Sequence, residues 1–440
     1  MKKLRRHLLL LLTAALVACG GPAVSIAAHR STPTPGAATA AIAPAHLLVR
    51  QGQPPARSIQ LLDTGSGRVR ASYPDGVATG DWSRLFVVTA AGSHNRLEEI
   101  DLSTGHTIST TATEPGFALP RTGPAGKPAG LSPNGSHLVL AGVATAQDPP
   151  ATNRFLVYDT GHLDRGAVHV TLSGSFLFDG INNDGTGLYL LEDLSSPTRG
   201  GEYHVRRYDL TAGALDPASI VDKSSGEQSI TGSAIDSVTS RDGAWQYTVY
   251  AFGGKPPFVH ALNLDHATAF CVDLPAAPLD EGLDLLWSVV ASHSGRFIYA
   301  VNAGNGAVVE MAADSPWQVR QALLPVPTPT SAAAWIPWAP LTVEAKRLVE
   351  GAAVISPDDR TLYSIGDTAI YRVDTARLQL EGSLLAGQAL NSLAISPDGR
   401  RLYATSVDSP TPLLQVDVQS GRWASIGGPR GPVSVLRALS

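Results

Sequence analysis

Charge is scarce in this chain, and so are sulfur and aromatic rings. Of its 440 residues, 16% are charged and 6% aromatic, with two Met and two Cys. Helix-rich enzymes usually carry more Glu, Lys and Arg, spaced for pairing along helix faces, so this composition argues against that class. Outside the N-terminus, Lys and Arg occur singly or in isolated pairs, without larger clusters or interleaved aromatics, which removes the electrostatic footprint of nucleic-acid binding. The formal charge of -5 includes a basic N-terminus, so the remainder is more acidic still. The N-terminal apolar run, Leu8 to Val17, is too short to span a bilayer. What the chain has in plenty is 43 Gly and 32 Pro, together with 43% hydrophobic residues, enough for a large core and too many for wholesale disorder.

Lys2, Lys3, Arg5 and Arg6 precede the apolar run, which ends in small residues, as an export signal does. It closes on Leu16-Val17-Ala18-Cys19, which resembles the bacterial lipobox. The resemblance implies a signal peptide over 1–18, removal of that segment, and a diacylglyceryl group on the Cys19 thiol. Two or three acyl chains give stable anchoring. The expected location is therefore the cell membrane or envelope, outside the cytoplasm. With Cys19 acylated, Cys271 has no disulfide partner. It lies in Thr268-Ala269-Phe270-Cys271-Val272-Asp273-Leu274, a strand-like apolar run that favours an inert thiol. Residues 19–45 are rich in Ala, Pro, Ser and Thr and read as an extended tether.

From His46 to the C-terminus one pattern recurs. Its clearest copy is Leu393-Ala394-Ile395-Ser396-Pro397-Asp398-Gly399-Arg400-Arg401-Leu402-Tyr403-Ala404-Thr405, two alternating strands around a Pro-Asp-Gly turn. Weaker copies are centred on Gly80-Asp81-Trp82-Ser83, Pro133-Asn134-Gly135, Asn183-Asp184-Gly185, Arg241-Asp242-Gly243, Ser294-Gly295-Arg296 and Pro357-Asp358-Asp359. Between them an apolar run ends in Asp before a turn, as at Asp63, Asp101, Asp159, Asp209, Asp374 and Asp417. The period is roughly fifty residues, within the range of a four-stranded propeller blade. The expected fold is all-β: a single β-propeller of eight or seven blades over 46–440. The run Pro432 to Leu436 reads as an innermost strand without partners, while His46 to Val49 and Ser58 to Leu62 read as partners without an innermost strand. Pairing them closes the ring as an eighth, composite blade; seven blades with a terminal hairpin is the other solution.

Ser396-Pro397-Asp398-Gly399-Arg400-Arg401-Leu402-Tyr403 and the Asp-x-x-Thr-Gly turns resemble bacterial surface propellers of the YVTN repeat type, which are WD40-like, and the repeats of TolB-like propellers. The resemblance implies architecture and leaves function open, because one fold hosts many activities.

Local chemistry is thin. The repeated aspartates sit at equivalent places in separate blades and read as turn caps, not metal ligands. Twelve histidines form no ligand spacing; His260 and His266, the nearest pair, span a turn. Neither a Gly-x-Ser-x-Gly elbow nor a phosphate loop occurs. The sequence therefore names no catalytic residue, no metal site and no cofactor; Gly421-Arg422-Trp423 alone is too little for a quinone-docking motif. One segment breaks the repeat, between Met311 and Ala353, and it holds Trp335-Ile336-Pro337-Trp338. Long insertions in a propeller emerge at one face, and exposed Trp residues cover something or contact a partner. Trp335 and Trp338 are thus the candidate partner-binding residues, with packing onto their own blade as the plainer role. The expected function is a monomeric, membrane-anchored binding or scaffolding module for an envelope protein, peptide or glycan. The alternative is a lactone or sugar hydrolase or isomerase with an axial site, which needs carboxylates, Asn or His converging from several blades.

Overall fold

Seven Ser/Asn/Thr-x-x-Gly-like turns each reverse the chain between an innermost strand and the strand beside it, and the rest of the architecture is built outward from these hairpins. The computed structural model describes residues 46–439 except 54–55, 125, 144–151, 195–200, 223–228, 252–255, 276–285, 303, 327–351, 367–368, 408 and 410. Cys19, the tether and the Trp335/Trp338 pair lie outside the described residues.

Eight antiparallel four-stranded blades follow one another. Blade 2 comprises Gly76–Ala78, Arg84–Ala91, His94–Asp101 and Thr107–Thr113; blade 3, Phe117–Ala118, His137–Gly142, Thr152–Asp159 and Ala167–Ser173. Blade 4 comprises Phe176–Ile181, Gly187–Asp193, Glu202–Asp209 and Ala214–Leu215; blade 5, Ser233–Thr239, Trp245–Ala251, Phe258–Asn263 and Thr268–Asp273. Blade 6 comprises Trp287–Ala291, Phe297–Asn302, Ala307–Ala312 and Val319–Leu323; blade 7, Ala353–Ile355, Thr361–Ile365, Ile370–Asp374 and Gln379–Leu384. Blade 8 comprises Leu390–Ile395, Arg401–Ser406, Leu413–Asp417 and Trp423–Ser425. Blade 1 is composite: Val433–Leu439 pairs with His46–Gln51, followed outward by Ser58–Asp63 and Val69–Pro74. The register runs from His46 opposite Leu439 to Gln51 opposite Val433. Terminal pairing therefore selects eight blades over seven.

Side chains alternate across a strand, so consecutive residues face opposite sides of a blade. This alternation explains the repeated Leu-Tyr dipeptide. Leu402 joins the apolar cluster between blades 7 and 8, while Tyr403 joins the one between blades 8 and 1. Leu362 and Tyr363 divide in the same way between the seams on either side of blade 7. So do Leu188 and Tyr189 around blade 4. Every adjacent pair of blades shares such a seam among the described residues, including the pair that closes the ring.

Polar contacts tie the same joints. Ser392 Oγ, fully buried, accepts the Val435 amide at 2.7 Å and binds blade 8 to the returning C-terminal strand. At the equivalent place, Asp236 Oδ2 accepts both Ser288 Oγ and the Val289 amide at 3.0 Å, joining blade 5 to blade 6. The hairpin turns also link around the ring. Asn134 donates its backbone and side-chain N–H groups to Asn183, whose own Nδ2 donates to the Asp242 carbonyl. The Asp359 carboxylate accepts the His293 and Ser294 amides at 2.6 and 2.7 Å.

The tyrosines separate packing from hydrogen bonding. Tyr189 donates its hydroxyl to the buried Leu264 carbonyl at 2.5 Å, whereas the Tyr403 hydroxyl has no partner among the described residues. Tyr189→Phe is expected to cost about 1–2 kcal/mol, since it leaves that carbonyl with one donor fewer. Tyr403→Phe is expected to cost close to nothing, and Tyr403→Ala about 3–5 kcal/mol through the cavity it opens. Urea unfolding of the three variants checks the order; a Tyr403→Phe cost as large as that of Tyr189→Phe would contradict it.

Candidate functional site

The two faces of the ring differ in how much chain they carry. On one face the turns between first and second strands all span five residues: 79–83, 132–136, 182–186, 240–244, 292–296, 356–360 and 396–400. In the best copies a serine and an aspartate lock the turn, as where Ser396 Oγ donates to Asp398 Oδ1 at 2.6 Å and accepts the Arg401 amide at 2.9 Å. The Asp residues that end third strands cap the remaining turns on this face. Asp417 accepts the Ser420 amide and hydroxyl at 2.7 Å, and Asp101 accepts Ser103 and Thr104. These bonds hold both carboxylates below their usual pKa, the serine hydroxyl being the largest cause in each. Turn capping is therefore what the repeated aspartates do. On the opposite face, the connections include 216–232, 274–286 and 324–352.

That second face carries a feature without counterpart in the other blades among the described residues. The innermost strand of blade 3 stops after Ala118 and resumes at Gly130 and Leu131, where Gly130 accepts the Val139 amide and Leu131 bridges to Leu138. Between these points a small hairpin pairs Arg121 with Pro128 and Thr122 with Lys127. An insertion in an innermost strand has only the axial space to enter. Its tip meets blade 5: a Cβ built on Gly123, whose φ is +67°, would lie 3.0 Å from the Ile235 carbonyl oxygen. Its other side meets blade 1, where Arg57 Nη1 donates to the Gly126 carbonyl at 3.2 Å. Blades 1 and 5 are opposite in a ring of eight, so the hairpin lies across the axis.

A cluster of guanidiniums fastens it there. Arg50, at 6% exposure, places Nε 2.8 Å from Asp75 Oδ1, and Arg121 Nη1 lies 3.2 Å from Asp75 Oδ2. Arg121 Nη1 also donates to the Gly126 carbonyl at 2.9 Å. Burial lowers the pKa of Arg50 and Arg57, and repulsion from Arg50 and Arg121 lowers Arg57 further. On the innermost strand of blade 1, Arg437 is crowded by protein yet in contact with solvent. Burial alone pulls its pKa down, and it has no carboxylate partner among the described residues.

A second polar group lies where blade 4 meets blade 5. Asp179 occupies a β-bulge on the innermost strand of blade 4 and accepts Gln246 Nε2 at 2.9 Å. It keeps some solvent contact but is ringed by protein, and desolvation pushes its pKa up to about 6. Nearby, the buried imidazole of His260 is pulled down to about 4 by desolvation, with Asp222 opposing, so it is neutral at pH 7. Its Nε2 and the hydroxyls of Tyr203 and Tyr250 are buried without a hydrogen-bond partner among the described residues. Cys271, half-buried on the outermost strand of blade 5, donates its amide to Asp222 Oδ2 at 2.9 Å. His266 does not join this group; its amide caps the turn at Asn263.

Local sequence reading missed the axial hairpin and the arginine cluster. A signal for the hairpin existed, the Gly- and Pro-dense run Pro120-Arg121-Thr122-Gly123-Pro124 to Gly126-Lys127-Pro128. Arg50, Arg57, Asp75 and Arg121 carry no local signal, since three connections bring them together.

The raised pKa of Asp179 has a direction to test. A carboxyl at about 6 in the fold and near 3.9 unfolded destabilises the fold above pH 6 and stops doing so as the pH falls towards 4. Asp179→Asn keeps the oxygen that accepts Gln246, and is expected to stabilise the protein by about 1–2 kcal/mol at pH 7.5, with most of the gain gone at pH 4. Urea unfolding at the two pH values measures it; an equal effect at both would show an ordinary carboxyl.

No family model and no curated protein matches this sequence. Solved structures do. Apo AztD from Citrobacter koseri is similar to it with a TM-score of 0.51 and 12% identity, over 90% of this chain and 98% of that one. The dihydro-heme d1 dehydrogenase NirN, in complex with DHE, is similar with a TM-score of 0.52 and 11% identity, over 88% of this chain and 74% of that one. At such identities the likeness shows the propeller fold, and the function of this chain has to be argued from its own residues.

Proposed function

We propose that this chain is a lipid-anchored, extracytoplasmic binding propeller that presents its long-connection face to an envelope protein, peptide or glycan. The observation that carries this reading is the inequality of the two faces. One is a belt of uniform, hydrogen-bonded five-residue turns; the other bears the long connections and the hairpin across the axis. Rigid frames with variable loops at one end are how folds of this kind hold ligands. The axial aspartates support binding over hydrolysis. Asp236 is taken up by Ser288 and Val289, and Asp179 by Gln246, so neither is presented beside a second free carboxylate among the described residues.

Anchoring rests on Leu16-Val17-Ala18-Cys19 and is tested separately. Cys19→Ala is expected to move the protein from the membrane fraction of the producing cells to the soluble extracytoplasmic fraction. Retention in washed membranes would count against a lipid anchor.

Trp335 and Trp338 are assigned to partner contact. In cross-linking on intact cells followed by mass spectrometry, the wild-type chain is expected to capture a recurrent envelope component. The Trp335→Ala/Trp338→Ala double variant is expected to lose it while melting within about 2 °C of wild type, as surface substitutions do. A fall of 10 °C or more would instead assign both rings to the core.

A further inference from the structure

The innermost strands carry one cation among the described residues, and it is Arg437. It faces Leu48 on the neighbouring strand of blade 1. At the equivalent register the other innermost strands place Val77, Gly180, Val238, Val290, Val354 and Ala394, each opposite a Phe or Tyr. None of these six reaches far from its backbone, so the axial space is wide at this level. One long, charged side chain shares it.

No group of the described residues answers that charge. Arg437 is exposed, and on an innermost strand exposure is to the axial space. It joins no ion pair or hydrogen bond among the described residues. Burial is the one influence on its guanidinium, so Asp179 and Asp236, the two carboxylates on innermost strands, are too distant to compensate it. Both carboxylates have partners of their own, Gln246 for Asp179, and Ser288 and Val289 for Asp236. A cation partly withdrawn from water gains most from an anion that meets it in the same place.

The register also sets Arg437 near one end of the axis. Its strand runs on only to Leu439, which pairs with His46 at the face of the five-residue turns. The hairpin crosses deeper in, where Gly123 lies against the Ile235 carbonyl. Ile235 stands four residues, roughly 13 Å, before the end of its strand at Thr239. The space on the turn side of the hairpin is thus a cup, with the hairpin as its floor and Arg437 on its wall.

We propose that this cup binds a small organic carboxylate, its two oxygens on the Arg437 guanidinium and its apolar body against the Val and Ala wall. A guanidinium presents a planar fork of N–H donors that matches a carboxylate, and short apolar side chains suit the remainder of such a ligand. A phosphate, with its larger charge, finds no second cation on the innermost strands among the described residues. The site opens at the opposite end of the axis from the long connections, so it stands or falls independently of the binding face proposed above.

The test uses the full-length chain in a non-ionic detergent at pH 7.5 and constant ionic strength, titrated with hexanoate, hexan-1-ol and inorganic phosphate. Calorimetry is expected to show saturable binding of hexanoate, at least tenfold tighter than that of either other probe. Arg437→Gln and Arg437→Met should each weaken it at least tenfold. Labelling of the unaltered chain needs no variant to fold. Phenylglyoxal, which modifies accessible arginines, should label Arg437, and hexanoate should slow that labelling at least fivefold. Arg360, whose side chain is 85% exposed, should be labelled at the same rate with and without hexanoate. The site is overturned by absence of saturable hexanoate binding, by hexanol bound as tightly or phosphate more tightly, or by labelling of Arg437 indifferent to hexanoate. Wild-type hexanoate affinity in both Arg437 variants does the same.

Discussion

Each blade of this propeller is held less by its own ladder than by the seams on its two sides. The second strand of a blade puts one residue of an apolar pair into each seam, and a seam is complete when both blades have contributed. Without blade 7 the cluster around Leu402 keeps only its blade 8 half, and without blade 1 the same is true of the cluster around Tyr403. This dependence propagates around the ring until the last seam has to be made by residues from opposite ends of the chain, Leu47 and Val49 with Val433, Val435 and Ala438. Because antiparallel strands leave unpaired edges when open, closure also removes the edge that His46–Gln51 would otherwise present.

Since the seams lie between second and third strands as much as between first strands, an innermost strand can be interrupted without loss of the ring. Blade 3 does this. Val139 and Leu138 keep their places in the seams with blades 4 and 2, although the strand inside them is reduced to Phe117–Ala118 and a single bridge. The residues released cross the axis. The arginines that gather at the hairpin come from blade 1 and from the hairpin itself.

Much of the frame was legible in the sequence because its signals are local. Asp398 and Gly399 announce a turn within a few residues, and Leu402-Tyr403 announces a strand buried on both sides. The composite blade could be read because the unmatched run at Val433 and the unmatched pair of runs after His46 each lacked what the other had; choosing eight blades over seven needed the register of His46 against Leu439. The axial cluster was not legible. Arg50 is the penultimate residue of a strand of blade 1, Asp75 is the single residue joining blades 1 and 2, and Arg121 lies in an insertion of blade 3. Only closure of the ring brings their charges together, and no spacing along the chain encodes it. Asp179 was hidden for a related reason: its environment comes from Gln246 in the next blade.

The composite blade has a consequence for how the molecule is made. A growing chain emerges N-terminus first, so His46–Gln51 exists long before Val433–Leu439 does. During that interval blade 1 is a three-stranded fragment with a bare edge, and the ring is an open arc. The pairing that closes it joins residues separated by nearly the whole propeller, which makes it the contact with the greatest loop-closure cost and a late one to form. Strands exposed in the meantime are able to pair with the wrong neighbour. The seven residues Val433–Leu439 therefore decide when the ring closes, and a chain cut short before them would carry almost every blade and no closed ring.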